Sequence, residues 1–111
     1  MIEETLSNVV ERFNRRAATL PSVQEELGSL TRTIALRLTD EGSYAVDLRE
    51  GRLQNLRTGA PAHADVTITT DQATFVGLVK KDIGPMKALV LRKLKIDGSL
   101  EDKLLFRRLL S

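Results

Sequence analysis

The sequence predicts an α+β fold, in which a five-stranded, mainly antiparallel sheet is covered on one face by about five helices. The spacing of apolar residues changes from the helical period to the strand period of two near Leu30, and it returns to the helical period near Thr70. Each predicted strand is apolar on one face and polar on the other, which is typical of a sheet with one covered and one wetted face. No helical pattern separates the first three strands, and this excludes a doubly wound parallel sheet.

The first predicted element is a helix near the N-terminus, because apolar residues recur there at the spacing of one helix face. Pro21 ends this pattern, since proline lacks the backbone N–H that a helix needs. The segment from Ser22 to Glu25 has the form of a capping box and predicts a short second helix that Gly28 can close. The apolar face of the first helix consists of Leu6, Val9, Val10, Phe13 and Ala17.

Three strands joined by short turns follow, and together they predict an antiparallel meander. The first alternates over residues 30–38, the second over residues 44–48, and the third covers Arg52 to Arg57. In the third strand Leu53 and Leu56 are three residues apart instead of two, which predicts a bulge or an irregular edge.

Strands and helices are mixed in the second half of the chain. A fourth strand contains Val66 and Ile68, and the strictly alternating segment from Lys93 to Asp97 predicts a fifth. Three further helices are expected from returning helical spacing and from residues suited to helix starts. These helices begin at or just after Thr70-Asp71, Gly84-Pro85 and Gly98-Ser99.

Composition limits the class of protein. The chain has 111 residues, of which 41% are hydrophobic and 29% charged, and this predicts one globular domain over residues 1–111. The absence of cysteine excludes disulfides and thiolate metal sites. The start Met1-Ile2-Glu3-Glu4 is not that of a signal peptide, and the longest apolar run falls far short of the ~20 residues of a membrane-spanning helix. A cytoplasmic protein is expected.

Several motifs occur in an order that resembles the sterol carrier protein 2 (SCP2) domain family. An Asp-Val-Thr strand begins at Asp65, and a helix containing Phe75 follows it. A Pro-Met-Lys-Ala turn then begins at Pro85, and a Lys-Leu-Lys-Ile-Asp-Gly strand begins at Lys93. The first helix and the meander also fit in order and length. The resemblance therefore covers nearly the whole chain and is to a small stand-alone prokaryotic-type member.

Two positions depart from the family pattern. The family often has glycine where this chain has Lys81 and Arg92. Glycine there allows a left-handed or tight turn. Lysine and arginine imply either a different turn or a strained one, on both sides of the segment 86–91.

The resemblance implies an apolar tunnel between the sheet and its helices. It further implies a lipid carrier or transfer protein whose ligand is a fatty acyl chain, a phospholipid, a sterol or an isoprenoid. Such a ligand needs apolar walls. The alternative for each candidate is that it simply fills the core, as apolar helix faces usually do. The candidate wall residues are Phe13, Phe75, Val79, Met86, Leu89, Val90, Leu104 and Leu105.

Positive charge is concentrated toward the C-terminus. Residues 1–79 carry 8 Lys and Arg against 11 Asp and Glu, whereas residues 80–111 carry 9 against 4. Cations around the cavity mouth predict transient contact with an anionic membrane surface, and an ordinary solvated surface is the alternative. Nucleic acid is not expected as a partner, because no set of aromatic residues for base stacking accompanies these cations. The candidate membrane-facing residues are Lys80, Lys81, Lys87 and Arg92.

The sequence does not predict an enzyme. His63 is the only histidine and lies in a loop, and no nucleophile elbow, glycine-rich phosphate loop or metal-spaced histidine pair is present. No catalytic residue, metal or cofactor is expected. A second function class stays open: a non-catalytic accessory or dimerisation module in a lipid or quinone metabolism complex, with a homodimer as one form. A large exposed apolar patch would favour that class.

Overall fold

The computed structural model describes residues 2–21, 25 and 27–109, with side chains up to residue 104. The described residues form an α+β fold as predicted, with four helices rather than about five. The short helix predicted from Ser22 lies largely outside the described residues. The helices are α1 (Ile2–Thr19), α2 (Gln72–Val79), α3 (Pro85–Val90) and α4 (Leu100–Leu109). The strands are β1 (Thr31–Leu38), β2 (Gly42–Arg49), β3 (Arg52–Thr58), β4 (Val66–Thr70) and β5 (Leu94–Asp97).

The strands form one sheet in the order β3-β2-β1-β4-β5. Its neighbouring strands are antiparallel except for β1 and β4, which run parallel. This confirms the mainly antiparallel sheet. Asp65 fixes the start of the parallel pair. Its carboxylate accepts a hydrogen bond from the N–H of Thr33 at 2.8 Å, and its own N–H donates to the Thr33 carbonyl at 2.9 Å.

The irregularity predicted for the third strand is present in β3. Ala45 pairs with Arg57 and Asp47 pairs with Gln54, so one extra residue of β3 is inserted between these two pairs. Asn55 absorbs the insertion with a left-handed φ of 58°. The extra residue explains how Leu53 and Leu56 both turn toward the helix side of the sheet, although they are three residues apart.

The bulge also organises the wetted face of the sheet. The Asp47 carboxylate is buried there and accepts hydrogen bonds from the Asn55 amide at 3.2 Å and the Arg57 guanidinium at 3.3 Å. Burial disfavours the charged form of Asp47, but these hydrogen bonds and the nearby arginine charges outweigh it and hold the pKa of the carboxyl below its usual value.

The core lies between the apolar face of the sheet and the inner faces of α1, α2 and α3. Strand register aligns Ile34 of β1 with Val46 and Val66 on that face. One buried group centres on Leu48, Val66 and Leu78, and it includes Ala88 of α3. A second buried group joins Ile2 and Leu6 of α1 to Leu36, Tyr44 and Phe75. The strand side of this core is therefore formed by the apolar residues that alternate along the strands, as predicted.

Candidate functional site

A cleft of about 580 Å³ opens between α1 and α2, and we call it the α1–α2 cavity. Its volume lies within the range of ~300–1,000 Å³ that is usual for small-molecule sites. Phe75 and Leu78 are buried and form its floor, while the other apolar lining residues are half-buried. The apolar lining residues are Val9, Phe13, Phe75, Leu78 and Val79, and the polar ones are Arg12, Arg15, Arg16, Thr19 and Lys81.

The cavity face of α1 follows from its helical spacing. Val9, Phe13 and Arg16 recur at intervals of four and three residues, so one face of the helix carries both apolar and cationic lining. The cations occupy the C-terminal half of α1, and Arg16, in its last turn, also interacts favourably with the negative end of the helix dipole.

Asn14 ties α1 to the free edge of β3. Its side-chain amide donates to the Leu53 carbonyl at 2.8 Å and accepts from the Leu53 N–H at 2.7 Å. This pair of bonds imitates the pairing of a further strand and satisfies an otherwise open sheet edge. This role of Asn14 was not predicted from the sequence. The available signal was an asparagine next to Phe13 within a helix, where asparagine is intrinsically unfavourable.

Of Thr70 and Asp71, the two residues predicted at the start of this helix, Asp71 is the one that caps α2. Its carboxylate accepts hydrogen bonds from the Thr74 N–H at 2.7 Å and the Thr74 hydroxyl at 2.8 Å. These bonds hold the pKa of Asp71 below its usual value. Asp40 accepts a further hydrogen bond from the Gln72 N–H at 3.0 Å. The helix that carries Phe75 is therefore fixed at its first turn.

The rim of the α1–α2 cavity is cationic. Arg12, Arg16 and Lys81 are exposed, and within the described part of the chain none of them forms an ion pair. Arg15, which also lines the cavity, pairs with Glu11 at 3.4 Å. No carboxylate lines the cavity among the described residues. The arrangement can bind an apolar chain at the floor and an anionic group at the rim.

The turns at Lys81 and Arg92 are strained. Their φ angles of 63° and 60° lie in the left-handed region. The chain thus keeps the turns that glycine favours and places long cationic side chains there, at a backbone cost of ~1–2 kcal/mol for each residue.

The structure brings together three of the eight candidate wall residues: Phe13, Phe75 and Val79 all line the α1–α2 cavity. Leu89 packs, half-buried, against the core instead. The Leu105 side chain lies outside the described part. The other three, Met86, Val90 and Leu104, are exposed.

The four candidate membrane-facing residues are also divided by the structure. Lys81 lines the rim of the cavity, while the other three do not. All four, Lys80, Lys81, Lys87 and Arg92, are exposed.

His63 and the acidic residues do not converge on the cavity. His63 is exposed, and its Nε2 lies 3.7 Å from an oxygen of Asp65, the residue that holds the β1–β4 pair. Among the residues described, no group of three or more histidine, aspartate or glutamate side chains is placed to hold a metal ion. The described helices are all too short or too polar to span a bilayer.

Comparison with known proteins gives a family match and a set of similar folds. Residues 10–111 match the model of the SCP-2 sterol transfer family. None of the curated proteins matches the chain significantly in sequence. Among solved structures, SCP2-L2 from Aedes aegypti is similar with a TM-score of 0.69 at 17% identity, covering 97% of this chain and 98% of that one. Palmitated SCP2L2 from Aedes aegypti is similar with a TM-score of 0.67 at 21% identity, covering 92% and 90%.

A further similar structure belongs to a much larger protein. The sec-alkylsulfatase Pisa1 from Pseudomonas sp. is similar with a TM-score of 0.63 at 23% identity, covering 79% of this chain. The match covers only 14% of the alkylsulfatase. At these identities the solved structures establish a shared fold and nothing finer.

Proposed function

Because the chain belongs to the SCP-2 sterol transfer family, we propose that it holds an apolar, lipid-like ligand in the α1–α2 cavity and acts as a lipid carrier or transfer protein. The observation that carries this proposal is the two-part lining of the cavity. Its apolar floor favours ligand surface that leaves water, at ~25 cal/mol per Å². Its cationic rim contains no carboxylate among the described residues. Phe13, Phe75 and Val79 are the proposed wall residues, joined by Val9 and Leu78.

The rim favours an amphiphile with an anionic head group. Guanidinium groups bind carboxylates and phosphates through paired, charge-assisted hydrogen bonds, and Arg12 and Arg16 have no such partner within the described structure. An uncharged sterol or isoprenoid would gain from the floor but not from these cations. Fatty acids and phospholipids are therefore the favoured ligands. A protein of the same fold, SCP2L2 from Aedes aegypti, has been solved in palmitated form.

Native mass spectrometry of the purified protein, followed by organic extraction, tests this proposal first. We expect a fatty acid or a phospholipid to leave the protein in near-stoichiometric amount. Protein that carries no lipid, and that also fails to bind a fluorescent fatty acid, would contradict the carrier function.

A pair of rim variants tests the head-group preference. Replacing Arg12 and Arg16 together by glutamine is expected to weaken palmitate binding about tenfold, because each exposed ion pair contributes up to ~1 kcal/mol. Binding of methyl palmitate, which has no charge, should not change. Arg37→Gln is the matched control, since Arg37 is exposed on the wetted face of the sheet. Equal losses for palmitate and its methyl ester would contradict the role of the rim.

A second candidate function is a non-catalytic accessory or dimerisation module. The observation that favours it is the match to a small part of the alkylsulfatase, in which a domain of this fold occurs within a larger protein. Lipid-free protein that forms a stable dimer in analytical ultracentrifugation would support this module over the carrier.

A further inference from the structure

A second apolar surface, separate from the α1–α2 cavity, faces outward from α3. Met86 and Val90, four residues apart, lie on one side of α3, Leu91 follows at its C-cap, and Ala88 lies on the opposite side. The first three side chains are 54%, 75% and 50% exposed, whereas Ala88 is fully buried. α3 therefore packs against the core through the side that carries Ala88. We call the outer side, formed by Met86, Val90 and Leu91, the α3 patch.

Positive charge predominates in the segment that carries the α3 patch. Residues 83–96 contain four cations and no aspartate or glutamate. Lys95 belongs to β5, and its Nζ forms an ion pair with a carboxylate oxygen of Asp97 at 3.7 Å. The other three, Lys87, Arg92 and Lys93, are exposed and form no ion pair within the described part of the chain. The charge of Lys93 acts on the carboxylate of Asp71, whose pKa it helps to lower. The uncompensated positive charge beside the patch is therefore that of Lys87 and Arg92.

We infer that the α3 patch docks the protein on an anionic lipid bilayer. Met86, Val90 and Leu91 enter the interfacial layer, while Lys87 and Arg92 contact lipid phosphates. Apolar side chains beside uncompensated lysine and arginine are the combination that binds bilayer interfaces. A protein partner fits less well, since three partly exposed side chains offer far less than the ~800 Å² that a stable interface buries on each partner.

The α3 patch lies close to the α1–α2 cavity along the chain. Lys81 lines the rim of the cavity, and Met86 follows it by five residues, so their Cα atoms are at most ~18 Å apart. Docking through α3 therefore brings the rim near the bilayer from which a ligand would enter. The inference depends on the proposed carrier function for its purpose, whereas its evidence is the exposure and charge of the segment 83–96.

Vesicle flotation tests the docking surface directly. Vesicles of phosphatidylcholine, with and without one-third phosphatidylglycerol, are mixed with the full chain at low and at high salt. We expect binding to the anionic vesicles that decreases with salt, as surface attraction is screened. The double variant Met86→Ser/Val90→Ser should lower the partition coefficient at least about tenfold, because two apolar side chains no longer leave water. Lys87→Gln should lower it about fivefold.

Leu100→Ser is the matched control. Leu100 is 74% exposed, but it lies on α4 next to Glu101 and outside the α3 patch, so its replacement should leave vesicle binding unchanged. The α3 variants should also keep palmitate binding in solution, and this separates a failed docking surface from a failed carrier function. Absence of binding to anionic vesicles would overturn the inference. So would a dimer that Met86→Ser/Val90→Ser dissociates while vesicle binding is unchanged.

Discussion

The α1–α2 cavity and the α3 patch are built from similar residues and have opposite shapes. Both combine apolar side chains with unpaired arginine and lysine. In the cavity Phe75 and Leu78 are buried and the cations surround an opening, whereas in the patch Met86 and Val90 project from a helix into water. A concave apolar surface can remove a ligand from water, while a convex one must itself be removed from water by a larger surface. Shape rather than composition therefore distinguishes the two proposed roles.

The largest expected difference between these regions is in their contribution to stability. Phe75→Ala should lower the free energy of unfolding by ~3–5 kcal/mol, because Phe75 is buried in the core as well as lining the cavity. Met86→Ala should change it by less than ~0.5 kcal/mol, since Met86 is exposed. Urea unfolding of both variants measures the contrast. Similar losses for the two would mean that the α3 patch is covered in the folded protein.

A smaller loss is expected where α1 is attached to the sheet. Asn14→Ala removes both hydrogen bonds to the Leu53 backbone, and this should cost about 2 kcal/mol. Amide exchange at Leu53 should accelerate, and palmitate binding should weaken because α1 supplies six of the ten lining residues. Asn8→Ala, on the exposed side of the same helix, is the control. An effect on stability without any effect on Leu53 exchange would show that the bonds do not anchor α1.

The cavity side should contribute to the pH dependence of stability. Hydrogen bonds from the Thr74 N–H and hydroxyl hold the pKa of Asp71 below its usual value, so the folded state binds fewer protons than the unfolded state near pH 4. The stabilisation is complete above about pH 5 and is lost as the pH falls through the lowered pKa. No side chain caps α3 at Gly84, so that helix has no equivalent titrating cap.

Unfolding measured between pH 3 and pH 7 tests this assignment. Asp71→Asn should flatten the acid loss of stability and lower the free energy of unfolding by no more than ~1 kcal/mol at neutral pH, because asparagine also caps helices. Asp82→Asn, at an exposed carboxyl just after α2, is the matched control. An unchanged profile for Asp71→Asn would place the acid sensitivity elsewhere, with Asp47 as the next residue to replace.

Much of the fold was predictable from the sequence because strand patterns are local. The alternation of Ile34, Leu36 and Leu38 fixes which face of β1 is buried, and the spacing of Leu53 and Leu56 indicated the bulge. The parallel pairing of β1 with β4 was not predictable in this way. It depends on a contact between Asp65 and Thr33, which are 32 residues apart.

The candidate site was less predictable, because a cavity depends on how helices pack rather than on the spacing within one helix. Phe75 and Met86 are both apolar residues at helical spacing, yet one is buried at the cavity floor and the other faces water. Arg12 and Arg16 lie on the polar face of α1, and the spacing within that helix does not reveal that α2 lies opposite them. The family resemblance predicted a cavity, but only the packing of the helices shows which apolar residues line it.

The left-handed turns at Lys81 and Arg92 allow the cavity and the patch to be compared by single substitutions, with the smallest expected effects. Lys81→Gly and Arg92→Gly should each raise the free energy of unfolding by ~0.5–1 kcal/mol, since glycine adopts the left-handed turn with little strain and loses part of that gain to backbone entropy. Their effects on binding should differ. Lys81→Gly removes a rim cation and should weaken palmitate binding a few-fold, whereas Arg92→Gly should weaken only the binding of anionic vesicles. Unfolding curves with both binding assays on the same two variants provide the test. Because both variants should stabilise the fold, a loss of palmitate or vesicle binding by either variant could not be attributed to unfolding. If either variant weakened both kinds of binding equally, the cavity rim and the α3 patch would form one continuous surface.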